Sequence, residues 1–246
     1  YLNEATLWTG EPIDPYMNPE AYRHVAEVRK ALRSEEYALA DSLNRNIQGA
    51  FSESYAPLGT LYIDFDHSGD ISDYCRRLNI SNAVADLRYK INGIQYKREY
   101  FVSHPDKIMI IKLSSPRTSQ RRRCTSRRSL LRYNIKAESD SLVVEGYAPY
   151  HAEPGYRGDM PDAVLFDVNR GTHFSVLFAV NHKGGDISIS DSVLSITSSD
   201  EAIIYCSIGS SFNGYDRDPA SKVSLSGASA INSSITALQK GYHNIR

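Results

Sequence analysis

Apolar positions along the chain follow two different periods. From Asn18 to about Asn46 the spacing is helical: Tyr22, Val25, Val28 and Leu32 recur three and four residues apart and mark one apolar face. Asn18-Pro19 reads as a start signal, with Asn18 placed to cap free N–H groups and Pro19 suited to the first helical position. Ser34 reads as a second cap, with Glu35 and Glu36 in the first turn where the helix dipole favours acids. Tyr37, Ala40 and Leu43 carry the second stripe, so 19–46 is predicted to be a hairpin of two short helices.

After Gly59 the period falls to two. Leu61, Ile63 and Phe65 alternate with Thr60, Tyr62 and Asp64, and Ala83, Ala85, Leu87, Tyr89 and Ile91 do the same up to Asn92-Gly93. An Asn-Gly pair between alternating runs signals a two-residue hairpin, because both residues tolerate the positive φ of a type I′ turn. The returning strand is predicted over 94–102 and the next over 107–114. Further strands are predicted over 131–137, 141–148, 163–168, 173–181, 186–190, 192–197 and 201–208. Many short strands with turn residues between them predict a mainly β fold, a large antiparallel β-sandwich with a short helical hairpin near its N-terminus.

One stretch breaks this pattern. Residues 116–129 (PRTSQRRRCTSRRS) hold six Arg and no acid, with no alternation. Three readings of it stand side by side: a solvated loop, a nucleic-acid arm that lacks aromatics to stack on bases, and a local reading-frame error.

Composition sharpens this picture. The chain has 246 residues with 28 Lys+Arg against 29 Asp+Glu, a net charge of -1. Removing the six arginines of 116–129 leaves 22 basic against 29 acidic residues, so one patch masks an acidic protein and the whole molecule gives no case for nucleic acid as a partner. Cys75, Cys124 and Cys206 are odd in number, far apart and without a CxxC pair, which argues against a disulfide scaffold or a zinc site. No apolar stretch approaches the ~18 residues of a membrane span, and YLNEATLWTG does not read as a signal peptide.

Five segments carry a specific resemblance: LNEATLWTGEP at 2–12, NPEAYRHVAEVRKAL at 18–32, YAPLGTLYIDFDH at 55–67, the long run 72–114 from SDYCRRLN to IMIIKLS, and IGSSFNGYD at 208–216. In that order they resemble the N-terminal domain of glycoside hydrolase family 95, best known for α-L-fucosidases, some members acting on α-L-galactosides. The resemblance is dense over 1–115, breaks at 116–129 and resumes from 130 to about 222. It implies a β-sandwich followed by a helical linker and an (α/α) barrel that holds the catalytic carboxyls. On that comparison 1–222 is the sandwich domain, incomplete at its start, 223–246 is the start of the linker, and the barrel is absent.

The candidate chemistry is correspondingly modest. Inverting hydrolysis, which the resemblance implies, needs two carboxyls roughly 6.5–9.5 Å apart facing a pocket. Asp64 and Asp66 share a strand face but read as a polar strand end. His151, Glu153, Asp159 and Asp162 lie in the loop PYHAEPGYRGDMPD, where they could gather a cation, although no regular ligand spacing appears. No catalytic residue, metal ligand or cofactor is therefore assigned. The histidines His24, His67, His104, His173, His182 and His243 have no Ser or Cys partner in a nucleophile motif.

The resemblance places the first motif where the sandwich meets the barrel. Asn3, Glu4 and Trp8, the only Trp, are candidates for holding substrate or lining that interface, with Thr6 and Thr9 beside them. Asn213, in the Ser211-Phe212-Asn213-Gly214 segment, is a further candidate. The resemblance implies a glycan substrate reached through the catalytic domain, and a secreted or periplasmic location. Two functions remain: an accessory domain of an inverting α-L-fucosidase-like hydrolase acting on terminal α-linked L-fucose or L-galactose, and a non-catalytic carbohydrate-binding or structural sandwich.

Overall fold

A computed structural model describes the chain except residues 50, 125–130, 139–140, 191 and 246, with backbone alone at 116–124 and 224–226. Two helices come first, α1 (Ala21–Arg33) and α2 (Tyr37–Asn44). Among the described residues twelve strands follow: β1 (Leu61–Phe65), β2 (Ile71–Asn79), β3 (Val84–Ile91), β4 (Ile94–Ser103), β5 (Ile108–Cys124), β6 (Arg132–Glu138), β7 (Ser141–Tyr147), β8 (His151–Ala152), β9 (Val164–Leu165), β10 (His173–Lys183), β11 (Asp186–Ser190) and β12 (Val193–Ser210). Two helices, α3 (Val223–Lys240) and α4 (Tyr242–Ile245), close the chain.

The mainly β, antiparallel expectation holds. Strands β2-β3-β4-β5-β12-β10-β7-β6 form the main path of the sheet, with β1 added to β5 and β11 added to β12. The long strands β5 and β12 make the second layer. Their inner halves pair over Ile108–Ser114 and Glu201–Ser207, while their outer halves pair over Gln120–Arg123 and Val193–Ile196 and carry β1 and β11. Register shifts at Ile196, Ser199 and Glu201 mark the bend between the halves. Leu61, Ile63 and Phe65 of β1 and Ile189 of β11 thereby pack against Ile111, Leu113, Val144, Val176, Phe178 and Ile204 of the main sheet. That is the face-to-face packing of a sandwich.

The Asn92-Gly93 hairpin forms as predicted. Ile91 pairs with Ile94 across it, and both turn residues have positive φ, 49° and 79°. Two strands predicted over 192–197 and 201–208 are one strand, β12, because a bulge bends the backbone without ending its pairing. The loop reading of the basic segment is corrected for 116–124. There the backbone continues β5, and pairing to strands on both sides supplies hydrogen bonds that need no apolar alternation. Residues 125–129 of that segment lie outside the described residues.

The helical hairpin is present, but its capping differs from the sequence reading. The first helix starts at Ala21 with no side-chain cap; the Asn18 amide donates instead to the carbonyls of Asn46 and Gln48, tying the two ends of the hairpin together. Ser34 ends α1 rather than starting α2. The buried face centres on Ala31 and Ala40, while Tyr22, Leu32 and Tyr37 are exposed. The small alanines permit a close helix–helix approach that tyrosines would prevent.

The segment from Val223, expected to open a linker, lies on the sheet. Ala237 of α3 with Tyr242 and Ile245 of α4 packs against Val84, Phe101, Ile110 and Tyr205, and Ala230 packs on Val143 and Leu177. Buried hydrogen bonds fix the contact: the Ser207 hydroxyl donates to the Ala230 carbonyl at 2.6 Å and lies 2.6 Å from the Ser234 hydroxyl. No helix among the described residues is long and apolar enough to cross a membrane.

Candidate functional site

The first motif and the segment that follows β12 come together beside one cleft. Leu2 and Leu7 are buried in the main core and anchor the first motif, with backbone bridges from Leu2 to Gly59 and from Trp8 to Tyr55. Between the leucines the chain makes a turn, which the Glu4 carboxylate closes by accepting from the Thr6 N–H at 3.2 Å and the Thr6 hydroxyl at 2.8 Å. Thr6 Oγ1 in turn lies 2.5 Å from Ser210 Oγ, at the end of β12. The Ser210–Asp216 segment is thus brought beside Trp8.

A cleft of about 170 Å³ lies between these segments. Trp8, Thr9 and Glu11 line it together with Phe212, Tyr215 and Arg217. Trp8 is 46% exposed, its Nε1 donates to the Ala5 carbonyl at 3.0 Å, and its ring meets Tyr55 edge-on at 5.5 Å. The polar edge of the indole is therefore used within the chain, and its apolar face is what the cleft offers. Phe212 and Tyr215 are also exposed, so three aromatics share a small surface.

Two carboxylates border the cleft, and both are held by this chain's own donors. Glu53 Oε2 accepts from the Thr9 hydroxyl at 2.5 Å and from the Ala152 N–H at 3.0 Å, while its Oε1 lies 3.0 Å from His151 Nδ1. Glu11 takes the Arg170 guanidinium in a two-pronged contact, which raises the Arg170 pKa further, and that guanidinium stacks on Tyr150 at 3.6 Å. Gly10 sits between them with φ of +97°, and a Cβ there would stand 2.4 Å from Glu53 Cγ.

The loop after β7 extends this network. His151 Nε2 faces Glu153 Oε1 at 3.3 Å, and the Arg157 guanidinium beside Glu153, with His151 adding to it, holds its carboxyl below the usual carboxylate range. Asp159 and Asp162 do not join, and among the described residues no group of three or more His, Cys, Asp or Glu could hold a metal ion. Asp64 and Asp66 are both exposed.

Of the residues singled out from sequence, Trp8 lines the cleft and Glu4 closes a turn behind it. Asn213 is not among the cleft-lining groups; its amide reaches the Asp218 carbonyl and Ser221 Oγ, each at 3.5 Å, in the turn that carries Tyr215 and Arg217. Asn3 is exposed and is not among the cleft-lining groups. Sequence reasoning missed Glu11, Glu53, Arg170 and Arg217. The partners of the first three lie far away along the chain, Thr9 being 44 residues from Glu53 and Glu11 159 from Arg170, so no local pattern marks them.

Comparison with known proteins decides the family. The profile described as "Glycosyl hydrolase family 65, N-terminal domain" matches residues 1–215. The chain belongs to that family. Its motifs resemble family 95 and the matching profile is that of family 65; the two agree on the N-terminal domain of a glycoside hydrolase. The chain is 28% identical over 222 residues to Alpha-L-fucosidase 2 of Arabidopsis thaliana, covering 87% of this chain and 26% of that protein. It is 27% identical over 119 residues to "Probable alpha-fucosidase A" of Aspergillus niger, covering 46% of this chain and 15% of that protein. The chain therefore spans about a quarter or less of the length of these relatives. A solved structure titled "Putative kojibiose phosphorylase from human microbiome" superimposes with a TM-score of 0.47 at 7% identity, over 76% of this chain and 27% of that one.

Proposed function

We propose that this family 65-type N-terminal domain serves an α-L-fucosidase-like hydrolase that removes terminal α-linked L-fucose, or L-galactose, from glycans with inversion. The observation that carries the reading is the alignment to Alpha-L-fucosidase 2, which runs through 87% of this chain but only 26% of that enzyme. In this reading the reacting carboxyls belong to the remaining three quarters.

The chain's own chemistry supports that division. A general acid must keep its proton at working pH, which burial or a neighbouring negative charge provides by raising its pKa. The carboxyls with a clear displacement among the described residues are all displaced the other way. Arg77 lowers Asp86, Lys240 and Ser103 lower Asp106, and Arg157 lowers Glu153. Glu11 and Glu53 at the cleft are occupied by structural donors. What remains for this chain is positioning: the aromatic cleft of Trp8, Phe212 and Tyr215 gives a surface for a sugar ring or for the catalytic portion that holds it. In this reading the protein works outside the cytoplasm, secreted or periplasmic, where such glycans are found.

Proton NMR of the complete protein acting on an aryl α-L-fucoside tests this. The first-formed sugar should be β-L-fucose; initial release of the α anomer excludes inversion, and no release excludes the fucosidase reading.

A further inference from the structure

The loop after β7 holds a histidine between two carboxylates, an arrangement that the proposed hydrolysis does not use. His151 opens β8, whose pairing with β9 closes the base of the loop 153–163, and the Glu153 N–H donates to the Ala163 carbonyl there at 2.8 Å. His151 Nδ1 lies 3.0 Å from Glu53 Oε1, and its Nε2 lies 3.3 Å from Glu153 Oε1. The other oxygen of each carboxylate is already engaged, Glu53 Oε2 by Thr9 and Ala152 and Glu153 Oε2 by Arg157 at 2.8 Å.

This geometry suits one protonation state of the ring. Neutral imidazole carries a single N–H, so one of its nitrogens would turn a lone pair toward a carboxylate oxygen; imidazolium carries two and can donate to both. Charge points the same way. Glu53 and Glu153 against Arg157 leave one formal negative charge around His151, which a proton on the ring cancels. The Arg157 guanidinium holds the Glu153 carboxyl below its usual range, so Glu153 stays charged wherever a histidine titrates. Glu11 and Arg170, close by, pair with each other.

The contact that depends on the proton is the one to Glu153. Glu53 is the nearer carboxylate and keeps the Nδ1–H of the neutral ring, which leaves Nε2 and the Glu153 oxygen as two facing acceptors. Glu153 in turn carries the loop. Its carboxylate holds Arg157, whose guanidinium lies over the Phe51 ring at 4.8 Å, and Tyr156 meets Phe51 edge-on at 6.0 Å. Phe51 stands two residues before Glu53, which lines the Trp8 cleft, so the loop is tied to the wall of that cleft at both places.

We infer that His151 is a proton-operated latch: protonated, it joins Glu53 to Glu153 and holds the loop 153–157 against the 51–53 segment; neutral, it releases that loop. The inference concerns this loop alone and stands or falls apart from the fucosidase reading.

NMR of the ¹³C,¹⁵N-labelled 246-residue chain over roughly pH 5 to 8 tests it. The readouts are the His151 ring shifts and the exchange protection of the Arg157 and Gly158 amides, which donate to the Pro154 and Gly155 carbonyls. Corrected for intrinsic exchange, that protection should fall about threefold as the His151 ring loses its proton, a modest step because the His151 side chain is 37% exposed and water screens the pair. His151→Gln should abolish the step. Glu153→Gln should abolish it too and keep the loop protected at high pH, because the new amide can donate to the neutral ring's Nε2 while its oxygen accepts from Arg157. Protection that does not follow the His151 titration overturns the inference. So does a step that persists in His151→Gln or in Glu153→Gln.

Discussion

The Thr9 hydroxyl donates to Glu53 Oε2 at 2.5 Å and accepts from the Ser54 N–H at 2.9 Å, so one side chain joins the first motif to the segment before β1. Thr9 is 4% exposed, and Glu53 passes the contact on to His151 and Ala152. The relationship fixes where Trp8 stands, because Trp8 precedes Thr9 and both border the same cleft.

Thr9→Val keeps the shape and removes both hydrogen bonds. Leaving a partly buried N–H and carboxylate oxygen short of a partner should cost about 1 kcal/mol. Thermal unfolding should show Tm lower by roughly 2–4 °C per kcal/mol for a chain of this size. An unchanged Tm would mean that Glu53 finds its donors elsewhere.

Gly10→Ala should destabilise more than its added methyl suggests. The backbone there is left-handed, φ +97°, and the new Cβ would stand 2.4 Å from Glu53 Cγ. Strain of this kind costs about 1–3 kcal/mol, readable as a fall in the urea midpoint.

The docking of α3 can be tested through Ser207 and Ser234. Each Ser→Ala should cost about 1 kcal/mol, with the pair costing less than the sum, because one hydroxyl is the other's partner. A double-mutant cycle on chemical unfolding reads this directly; strict additivity would contradict a shared bond.

Acid sensitivity should trace to Asp106. Its carboxyl is held below its usual range by Lys240, at the end of α3, and by the Ser103 hydroxyl at 2.5 Å. A carboxyl with a depressed folded-state pKa adds stability above its unfolded value, about 3.9, and loses it as pH falls through the folded one. Lys240→Met should therefore lower the urea midpoint at pH 6–7 and converge on the parent as pH falls below about 4. A gap that stays constant with pH would assign Lys240 a packing role alone.

Much of the fold was legible because burial imposed a period. The β3–β4 hairpin follows from alternation around Asn92-Gly93, and β11 falls where Ile187 and Ile189 alternate with serines. The second strand, β2, was not legible, since all nine of its residues are exposed and no face selects apolar side chains. The bend in β12 and the pairing of Arg-rich 116–124 are backbone effects that side-chain patterns do not encode. At the site, motif resemblance brought Trp8 and the 211–214 segment forward. The carboxylates that border the cleft escaped because long-range partners give them their setting, Glu53 with His151 98 residues on and Glu11 with Arg170.

The central claim is that these 246 residues position and do not react. Incubating the isolated chain with an aryl α-L-fucoside, and following aryl release at several enzyme concentrations, tests it most directly. The account predicts release no faster than in buffer, with no dependence on protein concentration. Release that rises with the concentration of the chain and falls on Glu53→Gln or Glu11→Gln would contradict it, by placing a reacting carboxyl in the Trp8 cleft.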